Sequence, residues 1–216
     1  MTAIGEGAGE GTGRAPGRII AIDGPAGSGK STVSRAVAVR LGVDRLDTGA
    51  MYRAVAWAAL ERGIEPSDRA AVGRLAQGLD ITVGERVEVD GADITEAIRG
   101  PRVSGAVSAV AANPDVRRVL VRRQRRWALE RGGGVVEGRD IGSVVFPQAD
   151  VKVYLTASAD ERARRRPEEG AKAVARRDRL DSTRAASPLE VADGAMVIDT
   201  TDRPVQEIVD QVVAGL

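Results

Sequence analysis

Apolar positions recur along this chain in two rhythms. A short β-branched run, Arg18 to Ile22, stops at Asp23-Gly24-Pro25 and reads as a buried strand. Val33, Val37 and Leu41 then recur at the spacing of one helix face, which predicts a helix over Ser31–Leu41. Gly49 to Arg62 keeps the helical rhythm until Gly63, and Ser67 to Leu79 repeats it with Ser67 or Asp68 as its cap. Next come two short alternating runs around Gly84, followed by Asp90-Gly91, the signals of hairpins. They predict a small inserted sheet over residues 80–100. Arg102–Ala112 and Pro114–Arg131 read as helices, the second with proline where a helix start tolerates it. Strands are expected at Gly134–Glu137, Val151–Leu155 and Met196–Ile198. Helices are expected at Asp160–Arg166, broken by Pro167, at Ala171–Leu180 and at Pro204–Val213. Strands alternating with helices imply an α/β fold, a parallel sheet with helices on both faces.

Composition narrows the chemistry. Of 216 residues 43% are hydrophobic but only 2% aromatic, so the core is built from Ala, Val, Leu and Ile. Cysteine and histidine are both absent, which excludes disulfides, thiolate catalysis and the usual general base. The net charge is +1, and no apolar run approaches the ~18 residues of a membrane span, so neither nucleic acid nor membrane is favoured as a partner. Residues 1–17, "MTAIGEGAGEGTGRAPG", lack the apolar middle of a signal peptide and read as a mobile tail. A cytoplasmic monomer is the expectation.

Gly24-Pro25-Ala26-Gly27-Ser28-Gly29-Lys30-Ser31, followed by Thr32, fits G-x-x-x-x-G-K-[ST] at every fixed position. Glycines let main-chain N–H groups approach phosphate oxygens, and the following helix adds its positive end. Lys30 is one of only three lysines, and a compact ammonium can bridge β- and γ-phosphates where a planar guanidinium fits less well. Ser31 offers an oxygen to Mg²⁺, with Asp23 or Glu137 as holders of its waters. The bland alternative, a glycine-rich turn without a ligand, needs a rare coincidence in a chain so poor in lysine. The motif therefore predicts binding of a nucleoside triphosphate. A GTPase would carry D-x-x-G and N-K-x-D; neither occurs, and Asn113, the single asparagine, precedes Pro114.

Three further stretches are candidates for the acceptor. Thr48 and Arg53 flank a helix start, although a cap and a surface arginine would look the same. Glu137-Gly138-Arg139-Asp140 follows an apolar strand, where open parallel sheets bind ligands, or it is an ordinary βα turn. Arg177, Asp181 and Arg184 share a helix face, either solvated or part of a closing lid. Six arginines between Arg117 and Arg126 raise the alternative of RNA binding, but aromatics for base stacking are nearly missing. A P-loop kinase with a different acceptor is the other alternative.

"IDGPAGSGKST", "LDTGAMYR", "VSAVAANPDVR", "RRQR", "EGRDIGSVVFPQADVKVYLTAS", "ERARRR" and "RDRLDSTRAASPL" stand in the order found in bacterial cytidylate kinases, and the chain resembles that family over residues 18–210. The resemblance implies a P-loop nucleoside monophosphate kinase in one domain, 18–216, with an inserted acceptor-binding subdomain near 80–112 and an arginine-rich lid at 163–185. It implies transfer of the γ-phosphoryl of ATP to CMP or dCMP, with Mg²⁺. Carried over by position, Gly24 to Thr32 would hold ATP; Thr48 and Arg53 would contact the acceptor, Arg53 at its phosphate. Ser108, Arg117 and Asp140 would read the cytosine ring, and Arg139 would meet a phosphate. Arg177 and Asp181 would contact the ribose, and Arg184 would lie near the phosphates. Lys30, Arg139 and Arg184 are the expected catalytic set.

Overall fold

The computed structural model describes residues 17–167 and 189–216. The expected tail, the helix over Ala171–Leu180 and most of the expected lid lie outside the described residues.

Five parallel strands form the central sheet: β1 Ile19–Asp23, β2 Arg45–Asp47, β6 Gly134–Glu137, β7 Val151–Thr156 and β8 Met196–Asp199, in the order β2-β6-β1-β7-β8. Alternation along the strands feeds two cores. Ile20, Ile22, Val135, Val153 and Leu155 face helices α1 (Lys30–Leu41) and α7 (Val205–Ala214), meeting Val33, Val37, Ile208 and Val212. Ala21, Leu46 and Val136 face the other way, onto α2 (Thr48–Glu61), α4 (Pro101–Ala112) and α5 (Pro114–Arg131). Helices cover both faces, as the alternation of elements implies.

Between α2 and α4 lie α3 (Arg69–Gly78) and a three-stranded antiparallel sheet, β3 (Ile81–Val83), β4 (Val87–Val89) and β5 (Ala92–Asp93). This small sheet closes no core of its own. Its buried Val87 and Val89 pack in the same cluster as Met51 and Val55 of α2. A 3₁₀ turn at Ala97–Arg99 leads into α4.

Local chemistry sets the boundaries. Asn113 Oδ1 accepts from the N–H groups of Asp115 and Val116, so α5 starts at Pro114. Gly42 and Gly132 end α1 and α5 in the left-handed conformation. Helix α6 spans Ala159–Arg164 and stops short of Pro167. Two elements depart from the sequence reading. β2 has a single buried apolar residue, Leu46, too little signal for a strand; it exists because it pairs with β6. Residues Ile141–Val145 form one π-helical turn rather than a plain βα loop. Among the described residues no helix is long and apolar enough to cross a membrane.

Candidate active site

β1 sits mid-sheet, and the strand order reverses beside it: β1 leads by way of α1 to β2 on one side, and β6, its neighbour on that side, leads across to β7 on the other. Such a switch point opens a crevice at the carboxyl ends of the strands. A cavity of about 550 Å³ lies there, lined by the loops after β1, β2, β6 and β8.

The loop after β1 fills one wall. Gly27, Gly29, Lys30, Ser31 and Thr32 face the cavity, whereas Gly24, Pro25, Ala26 and Ser28 are buried behind it. Glycine is compulsory at two of these positions. A Cβ on Gly24 would meet the Leu155 carbonyl oxygen at 2.1 Å, and one on Gly27, at φ +78°, would meet the main chain of Arg162 at 2.7–2.9 Å. Lys30 Nζ donates to Pro25 O at 2.7 Å, folding the ammonium over its own loop. Arg139 reaches across from the loop after β6 and donates to Gly24 O at 2.9 Å.

Ser31 Oγ donates to Glu137 Oε2 at 3.1 Å, and Arg45 Nη1 donates to Glu137 Oε1 at 2.5 Å. Burial pushes the Glu137 carboxyl up to about 7, with Asp47 adding to the rise and Arg45, Lys30 and Ser31 opposing it. Asp23 takes no part in this group. Its carboxylate turns to the π-turn and accepts from the N–H groups of Ile141 (2.9 Å) and Gly142 (2.8 Å). Of the two acids considered beside Ser31, Glu137 is the one that meets it. Burial lifts the Asp23 carboxyl to about 6 despite those two bonds.

The opposite wall carries side chains rather than main chain. Arg117 of α5 and Asp140 form an ion pair, both nearly buried. The Arg117 guanidinium also lies 6.0 Å from the Tyr52 ring centroid and donates to its hydroxyl at 3.4 Å. Ser108 of α4 and Arg53 of α2 line the same cavity. Arg53 donates to Ile98 O (3.1 Å) and to Ser104 Oγ (3.0 Å), linking α2 to the inserted segment. Thr48 is the first residue of α2, not its cap: Asp47 Oδ1 accepts from Ala50 N, while the Thr48 hydroxyl donates to Glu137 O at 2.7 Å. The reading of Thr48 as a helix cap is corrected by that geometry.

One cavity thus gathers Lys30, Ser31, Thr48, Arg53, Ser108, Arg117, Arg139 and Asp140. Arg177, Asp181 and Arg184 lie outside the described residues. Sequence reasoning missed Tyr52, Arg45, Arg165 and Thr200. Tyr52 is one of two tyrosines and precedes Arg53 directly, a signal that could have been used. Arg45, on a strand too short to read, left none.

The cytidylate kinase family profile matches residues 20–216. A cytidylate kinase of Mycolicibacterium paratuberculosis is 49% identical over 209 residues, covering 89% of this chain and 92% of that protein. A bifunctional pantoate ligase/cytidylate kinase of Synechococcus is 50% identical over 211 residues; the match takes in 89% of this chain and spans 43% of that longer protein. Among solved structures, a gluconokinase from Sinorhizobium meliloti shares the fold at a TM-score of 0.52 and 18% identity, over 93% of this chain and 91% of that one. With the glycine loop and the buried arginine–aspartate pair facing one cavity, with the family profile matched over residues 20–216, and with near-half identity over 89% of its length, the chain belongs to the cytidylate kinase family.

Proposed function

We propose that the protein transfers the γ-phosphoryl group of ATP to CMP or dCMP, yielding ADP and CDP or dCDP. The observation that carries this reading is the buried Arg117–Asp140 pair, set across one cavity from Lys30 and the glycine loop. Cytosine offers an amine donor at its 4-position and acceptors at N3 and O2. Asp140, with Ser108, can take the amine, and Arg117 can donate to the acceptors. Uracil carries a carbonyl at the 4-position, and a buried carboxylate facing it costs a few kcal/mol, roughly the value of an unmet charged hydrogen bond.

The remaining roles follow from charge and position. The N–H groups of the glycine loop and the start of α1 hold the donor's phosphates. Lys30 neutralises the β- and γ-phosphates, and Arg53 and Arg139 hold the acceptor's phosphate in line with them. The attacking oxygen belongs to a phosphate already ionised at neutral pH, so the absence of histidine costs the reaction nothing. Ser31 Oγ and Glu137 are hard oxygen donors of the kind Mg²⁺ takes. Among the described residues there is no group of three or more acidic or histidine ligands, but Mg²⁺ held mainly by phosphates and water needs only one or two protein oxygens. When bound, it supplies charge neutralisation at the bridging phosphates.

In this reading an acceptor-binding subdomain near 80–112 and a lid at 163–185 would complete the site; of the first, α4 brings Val107, Ser108 and Ala111 to the cavity, and most of the second lies outside the described residues. The test is release of ADP from ATP–Mg²⁺ against CMP, dCMP, UMP, AMP and GMP. CMP and dCMP should exceed UMP by at least about tenfold in kcat/KM, the discrimination one mispaired polar group provides. Equal efficiency on CMP and UMP would overturn the assignment of Asp140.

A further inference from the structure

Every carbonyl from Gly24 to Gly29 accepts a hydrogen bond. Arg139 serves Gly24 O, Lys30 serves Pro25 O, and the first turn of α1 serves Gly29 O. The three between them are reached from outside the loop and outside its helix. Arg162 Nη1 donates to Ala26 O at 3.3 Å, Arg165 Nη1 to Gly27 O at 3.4 Å, and Thr200 Oγ1 to Ser28 O at 3.1 Å.

In a trans peptide the carbonyl of one residue and the N–H of the next point in opposite directions. The Ser28 N–H donates within the loop, to Pro25 O at 3.4 Å, so it is the fixing of Ser28 O toward the end of β8 that turns the Gly29 N–H to the concave side of the loop. A phosphate cradle requires that orientation. Left to themselves, glycine-flanked peptide planes rotate easily.

Arg165 is built to hold them. Its Nε donates to the buried Glu161 carboxylate at 2.6 Å, its Nη2 to Thr200 O at 2.7 Å, and its Nη1 to Thr200 Oγ1 at 2.8 Å. A hydroxyl has one proton, and an arginine cannot accept it. With Nη1 donating to Oγ1, the Thr200 proton must go to a carbonyl, Ser28 O or Thr156 O, each at 3.1 Å; Thr156 O already accepts the Thr200 N–H at 2.9 Å, which favours Ser28 O. Thr200 is 2% exposed, so water offers no alternative.

We infer that Arg165 and Thr200 are positioning residues of the phosphate loop: Arg165 fixes Gly27 O directly and, by way of the Thr200 hydroxyl, biases the Ser28 peptide so that the following N–H faces the donor's phosphates. The inference rests on the reading of Gly24–Thr32 as the donor site. Its rival is direct contact, because Arg165 also lines the cavity and a guanidinium can bind phosphate itself.

Thr200→Val separates the two, since it keeps the guanidinium and its charge while removing the relay. ADP affinity is measured by calorimetry with Mg²⁺ for the wild type, Thr200→Val, Thr200→Ser and Arg165→Lys, alongside KM for CMP at saturating ATP. Thr200→Val should weaken ADP about tenfold, the scale of one lost hydrogen bond in a buried site, with KM for CMP within about twofold of wild type. Thr200→Ser should recover most of that loss. Arg165→Lys keeps the charge but loses the fork, and should lose at least as much as Thr200→Val. Wild-type ADP affinity in Thr200→Val, no recovery in Thr200→Ser, or an equal fall in CMP affinity would each overturn the inference. Should Thr200→Val not fold, an unchanged ADP affinity in Arg165→Lys overturns it equally. A wild-type protein that fails to bind ADP overturns the donor-site reading itself, and the inference with it.

Discussion

On the proposed function, the two walls of the cavity would recognise their ligands by different means. On the proposed donor side the contacts would come from the main chain, and side chains from α6, the loop after β8 and the loop after β6 hold that main chain from behind. On the acceptor side the contacts are side chains that hold one another: Arg117 with Asp140 and Tyr52, Arg53 with Ser104. A main-chain cradle recognises a polyphosphate whatever base it carries. A network of side chains recognises one pattern of donors and acceptors, and it fails as a unit when one member is lost. That division would keep generic grip and specific reading in separate parts of one crevice.

The contrast can be tested by removing one charge from each wall. Lys30→Ala should lower kcat by about 10²–10³-fold while the far-ultraviolet circular dichroism and the affinity for CMP stay near wild type, the loss expected when one preorganised charge at the phosphates is deleted. A fall in CMP affinity of the same size would show that the walls are not separable. Asp140→Asn should act in the opposite sense. The amide still accepts from Arg117 but now presents a donor to a uracil carbonyl, so kcat/KM for CMP should fall by about tenfold to a hundredfold and that for UMP much less. ADP affinity should not move. A CMP-to-UMP ratio left at the wild-type value would remove Asp140 from base recognition.

The same division explains what could be read from the sequence. A main-chain site leaves a local mark, because glycines at fixed spacing with Lys30 and Ser31 can hardly serve another purpose, and the loop, its strand and its helix all lie where the pattern places them. The acceptor wall is assembled from α2, α4, α5 and the turn after β6, whose residues lie far apart in the chain. Nothing in the spacing of Arg53, Ser108, Arg117 and Asp140 says that they meet, and only the resemblance to a family named them. The supports behind the glycine loop were less visible still. Arg162 and Arg165 lie in an arginine run indistinguishable from a solvated face, and Thr200 in an ordinary turn. β2 escaped notice because pairing with β6, not its own three residues, makes it a strand.

Asp23 stands where the walls join. It ends β1 immediately before the glycine loop, and its carboxylate holds the N–H groups of Ile141 and Gly142, the residues after Asp140. The joint has a pH signature of its own. Burial raises the Asp23 carboxyl from 3.8 to about 6, with nearby Asp140 adding to the rise and the two main-chain bonds and Lys30 opposing it. Because the folded protein binds this proton more tightly than the unfolded chain, the group's favourable contribution is complete below pH 3.8. It is lost as pH rises through about 6, a change of at most about 3 kcal/mol. Asp23→Asn cannot titrate and leaves one of the two N–H groups without its acceptor, so the variant should be less stable throughout. The informative quantity is how the gap between variant and wild type changes with pH. Measured by urea unfolding from pH 4 to pH 7, the wild type should lose stability relative to the variant as pH rises, narrowing the gap. Parallel curves would mean that Asp23 is ionised in the native state across this range, and that the joint between the walls holds its charge without cost.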